Sequence, residues 1–98
     1  MGSEKELCKE LDVILKEITS AGFSKLDSGS MEKLEKISSA AAGLGMKTGK
    51  GLIDNFIEVL KSLQAGKSNE DSVSLRLTAL EFYKTKVLEN ESGSVEAL

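Results

Sequence analysis

The densest run of chemically suggestive residues in the chain is Gly43-Leu44-Gly45-Met46-Lys47-Thr48-Gly49-Lys50-Gly51. A phosphate-binding loop needs Gly-rich backbone amides around the phosphate, a Lys for its outer oxygens and a hydroxyl for magnesium. The spacing does not meet that need. Gly45 to the Gly49-Lys50 pair is one residue short, and Gly51 stands where Ser or Thr must be. No strand-type alternation precedes the run. It reads instead as a flexible interhelical turn whose glycines start the next helix late.

Two carboxylate pairs, Glu6 with Glu10 and Asp54 with Glu58, are one helical turn apart and so share a face. Such pairs serve acid–base or metal chemistry only with further ligands or a base. The chain has no His, which removes the commonest general base and zinc ligand. Both pairs therefore read as solvated helix faces. Cys8 is the single cysteine, so no intrachain disulfide can form. Without His it lacks the base that nucleophilic catalysis requires. It reads as a small buried hydrophobe and is consistent with a reducing, cytoplasmic setting. No catalytic residue, cofactor or metal ligand is assigned, and the chain is expected not to be an enzyme.

The partner is then expected to be another protein. The formal net charge is -3 with acidic and basic residues interspersed, and Arg76 is the sole arginine. Nucleic-acid binding needs clustered cations, so it is disfavoured. No apolar run approaches the roughly 20 residues that span a bilayer. The start, Met1-Gly2-Ser3-Glu4-Lys5-Glu6, has no apolar signal core. A myristoylation motif would need Ser or Thr where Glu6 stands.

These residues must be positioned by helices. The 98 residues contain no Pro and are 40% apolar and 30% charged, as expected of one globular domain of helices. The first segment, about Glu4 to Ser20, places Leu7, Leu11, Ile14, Leu15 and Ile18 on one face. Ser3 and Glu6 form a capping box at its start, and Gly22 ends it. Phe23 and Leu26 are expected to fold back over the bundle end. Ser30 is the expected cap of the second segment, about Met31 to Leu44, whose stripe is Met31, Leu34, Ile37, Ala41 and Leu44. The third runs from about Lys50 to Gln64 with Leu52, Ile53, Phe56, Ile57, Leu60 and Leu63 apolar and Asp54, Glu58 and Lys61 outward. The fourth runs from about Asp71 to Glu89 with Val73, Leu77, Leu80, Tyr83 or Lys84, and Val87 inward, flanked by Leu75 and Phe82. Residues 1–89 thus form an all-α antiparallel four-helix bundle, and 90–98 a frayed tail. A dimer of helical hairpins is the competing architecture.

The second and third segments resemble the histidine phosphotransfer (HPt) domain of bacterial and fungal phosphorelays. Anchored on Gly45, the family pattern matches Ile37, Ala40, Ala41, Leu44, Gly45 and Met46, and continues in Leu52, Ile53 and Phe56. Glu35 stands at the position of the phospho-accepting His, Ser38 at the Lys and Ser39 at the Gly. Gly49 replaces an apolar core residue. The resemblance covers roughly residues 31–63 and implies an HPt-like bundle that has lost phosphotransfer, since a carboxylate cannot form the phosphoramidate. It further implies that the face of Met31, Glu32, Glu35, Ser38, Ser39 and Ala42 docks a response-regulator receiver domain or a kinase in two-component signalling. The alternative expectation is a structural or assembly protein: a helical homo-oligomer that buries its first and fourth segments against a second copy, or a chaperone-like adaptor of unknown partner.

Overall fold

A computed structural model describes residues 4–23 and 28–89. Four helices follow one another: α1 (Glu4–Ala21), α2 (Ser28–Gly43), α3 (Lys47–Gln64) and α4 (Glu70–Glu89). Each packs on its neighbours in sequence, and α4 returns to α1, so the helices stand at the corners of a square. This is the all-α four-helix bundle that the apolar spacing predicts. It measures 40 × 24 × 21 Å.

The core is aliphatic because the chain offers few rings. Leu7, Leu11, Leu15 and Ile18 of α1 meet Leu34, Ile37 and Ala41 of α2, Ile53, Phe56 and Leu60 of α3, and Val73, Leu80, Tyr83 and Val87 of α4. Phe23 packs against this core from the end of α1. Its expected companion Leu26, the Ser3 half of the capping box and the tail 90–98 lie outside the described residues.

The helix ends are set by backbone chemistry. Gly22 adopts φ +91 and donates its amide to the Ile18 carbonyl, ending α1. After α2, Gly45 takes φ +76, its amide bonds the Ala42 carbonyl and the Met46 amide bonds that of Ala41. These two bonds form a Schellman motif, and the accompanying apolar contact is that of buried Met46 with buried Ala41. The turn is therefore short and closed by backbone hydrogen bonds, and three expectations change with it. α3 begins at Lys47 rather than Lys50, because Met46 supplies the first helical carbonyl to the Lys50 amide. Thr48 lies inside α3 and does not cap it. Leu44, expected in the core stripe, is 38% exposed, because the left-handed turn sends Met46 inward in its place. At the front of α2 the helix starts at Ser28, so Ser30 is a helical residue and not the cap. Gly66, at φ +75, repeats the Schellman motif after α3, with the Lys67 amide on the Ser62 carbonyl. The Asn69 side chain then caps α4 by accepting the Ser72 amide.

Candidate functional site

The Gly43–Gly51 stretch has no free phosphate cradle. Its first half is the Schellman turn and its second half is the first turn of α3. Gly49 is buried in the α3–α4 seam, where an added Cβ would lie 2.8–3.0 Å from the Tyr83 ring and hydroxyl. Tyr83 thus fills the space that a larger residue at 49 would occupy. The Lys50 ammonium sits 2.5 Å from an Asp54 oxygen, and so is committed within the helix.

The six residues expected to dock a receiver separate into two groups. Glu32, Glu35, Ser39 and Ala42 are exposed on the outer surface of α2, with a shallow depression of about 320 Å³ among Glu32, Glu35, Lys36 and Ser39. Met31 is half-buried against the core. Ser38 is 5% exposed and turns inward, where its hydroxyl donates to Asp54 Oδ1 at 2.5 Å. Glu35, which the phosphotransfer resemblance would set at the phospho-acceptor position, meets Lys61 of α3 at 3.5 Å as an exposed ion pair. The face is polar, and its central carboxylate has a partner in the same chain.

Asp54 was expected to face outward beside Glu58. It is half-buried instead and ties α2 to α3. The hydrogen bond from Lys50, then the one from Ser38, holds its carboxyl below the usual carboxylate range. Asp12 plays the same part between α1 and α4. Lys84 reaches it at 2.6 Å and Lys16 at 3.0 Å, and these two bonds, Lys84 first, lower its pKa. Cys8 is fully buried. Burial, aided by the charge of Glu4, pushes its thiol up to about 11, so the sulfur stays protonated at neutral pH. It behaves as the small core hydrophobe that its position suggested.

The surface that the sequence reading misplaced is on α4. Leu75 and Phe82, expected to flank the inner face, are each 65% exposed. With Thr78, Ala79 and Lys86 of α4, and Thr48 and Leu52 of α3, they line a groove of about 560 Å³ along the α3–α4 seam. The signal was present in the sequence: Leu75, Ala79, Phe82 and Lys86 recur at helical spacing, offset from the core stripe of Val73, Leu80 and Val87. α4 therefore carries apolar residues on two faces, and only one of them is covered within the bundle. Lys86 lies 5.2 Å over the Phe82 ring, a cation–π contact at the end of the groove. On α1, by contrast, Val13 alone among the large hydrophobics is exposed, beside charged neighbours.

Among the described residues, no group of three or more His, Cys, Asp or Glu is placed to hold a metal ion, and no helix is long and apolar enough to cross a membrane. No protein-family model, curated protein or solved structure matches the chain. The phosphotransfer resemblance accordingly rests on the small-residue pattern of α2 and the turn after it.

Proposed function

We propose that this protein is a helical interaction module that acts by binding another protein rather than by catalysis. Its binding face is the α3–α4 groove, and the occupant is an amphipathic helix. The observation that carries this reading is the pair Leu75 and Phe82, 65% exposed on a helix whose opposite side is already packed into the core. A helix with apolar residues on both faces calls for a partner on each. Covering the two side chains is worth about 1–3 kcal/mol apiece, which makes them the natural anchors for a helix laid in the groove.

Receiver docking through α2 remains the proposal that the phosphotransfer resemblance suggests. It is the weaker one, because the outward side chains there are Glu32, Glu35, Lys36, Ser39 and Ala42, and none is a large apolar anchor. Interfaces derive most of their energy from a few such anchors.

The test is capture of partners from the native host with the parent chain and with two surface variants, read by mass spectrometry. Partners lost with Phe82→Ser and kept with Glu35→Lys support the groove. Partners lost with Glu35→Lys and kept with Phe82→Ser place binding on α2 instead.

A further inference from the structure

The outer stripe of α4 has a further property. Read from its N-terminal end it runs Asp71, Leu75, Thr78, Ala79, Phe82, Lys86. In chemical terms that is acid, large apolar, small, small, large apolar, base. The order is its own complement when reversed. An isologous two-fold interface demands this, because each residue must be matched by one from the same patch on the other copy.

We infer that the helix occupying the groove is α4 of a second copy of this chain, laid antiparallel about a two-fold axis between Thr78 and Ala79. This rests on the reading of the groove as a helix-binding face. In this register Leu75 meets the second copy's Phe82, and Phe82 meets its Leu75. Thr78 and Ala79 lie at the axis, where their small side chains let the two backbones approach closely. Asp71 and Lys86 lie about 22 Å apart along the helix, and at each end the acid of one copy faces the base of the other. Neither residue has a salt-bridge partner among the described residues, unlike Lys16, Lys33, Lys50, Lys61 and Lys84. Charge decides the direction. A parallel pair would set Asp71 against Asp71 and Lys86 against Lys86, which opposes association. Leu52 and Thr48 of α3 flank the Phe82 end of the groove, so the incoming Leu75 has apolar cover on two sides. The interface is a single helix pair with two large anchors from each copy, which sets it at the small, reversible end of the range of protein interfaces.

Sedimentation equilibrium of the full chain, from micromolar to millimolar concentration, tests the pairing with four variants. The parent is expected to show a reversible monomer–dimer equilibrium. Phe82→Ser should be monomeric throughout, with an unchanged circular dichroism spectrum because the side chain is outside the core. Asp71→Lys alone and Lys86→Asp alone each create two like-charge contacts per dimer and should weaken it about tenfold. Asp71→Lys combined with Lys86→Asp exchanges the signs and should recover most of the parent's association. Recovery in the double variant supports the antiparallel register, because that register sets Asp71 of one copy against Lys86 of the other, whereas a parallel two-fold pair sets each against itself. A double variant as weak as the singles overturns that register. A parent that is monomeric at millimolar concentration overturns self-pairing. In that case, loss of host partners with Phe82→Ser leaves the groove reading standing with a foreign helix as occupant. Host partners unchanged by Phe82→Ser remove both readings.

Discussion

At opposite corners of the bundle, α2 and α4 turn very different surfaces to water. The outer side of α2 is charged or small, and its Glu35 is already paired with Lys61. The outer side of α4 carries Leu75 and Phe82, both mostly exposed. The α2 surface is complete as it stands. The α4 surface leaves two large apolar side chains in water. The comparison shows that the residues most suggestive of a known motif are not the ones whose chemistry is left unfinished by the fold.

The sharpest test of this contrast lies within α4 itself. Leu80→Ala, on the inner stripe, should cost about 2–5 kcal/mol because it opens a cavity at a fully buried position. Phe82→Ala, two residues away, should leave monomer stability within about 0.5 kcal/mol, as surface substitutions do. Denaturant unfolding of both variants at a concentration where the chain is monomeric checks the pair. Equal losses would mean that Phe82 serves the core and that α4 has no spare face.

Gly49→Ala should be the next largest effect. The new methyl would push the Tyr83 ring, on the floor of the groove, and overpacking of this kind costs about 1–3 kcal/mol. Gly51, two residues on, has nothing within 4 Å of an added Cβ. Gly51→Ala should therefore stabilise α3 by up to about 1 kcal/mol. Thermal melts of the two variants should move in opposite directions.

The polar ties of the bundle should respond to pH. Asp12 and Asp54 have folded pKa values below their unfolded ones. Their contribution is therefore fully present above the unfolded carboxylate value, about 3.9, and is lost as pH falls through the lower folded values. Melting temperature should drop on acidification below about pH 4, and less so in Asp12→Asn and Asp54→Asn. An acid-induced drop identical in the parent and in both variants would show that these ties do not stabilise the fold. At the small end, Glu35→Gln should change stability by no more than about 0.5 kcal/mol, since exposed pairs of this geometry contribute little. A larger loss would mean that the α2 surface is not as self-sufficient as its exposed pair suggests.

Much of the fold was legible in the sequence. Leu7, Leu11, Ile14, Leu15 and Ile18 mark one face of α1 without ambiguity, and Gly22 and Gly66 mark left-handed helix ends. Other features depended on tertiary contacts that spacing does not carry. The glycines at 43, 45, 49 and 51 look alike in sequence, yet only Gly45 takes the left-handed turn conformation, and only Gly49 sits in a helix where Tyr83 leaves no room for a Cβ. Ser38 looked like an exposed docking residue, since nothing local shows that Asp54, sixteen positions on, receives its hydroxyl. Leu75 and Phe82 were read as flanking the core because a bundle helix is expected to have one apolar face. α4 has two, and which of them packs inward is decided by the tertiary placement of α1 and α3 against it.

On the reading proposed above, the protein meets its partner through the outer face of α4 and not through that of α2. The most direct test is the amide NMR spectrum of the chain as its concentration is raised from micromolar to millimolar. The amides of Leu75, Ala79, Phe82 and Leu52 should shift or broaden together while those of Glu32, Glu35 and Ser39 stay in place. Movement of the α2 set with a static α4 would contradict that reading.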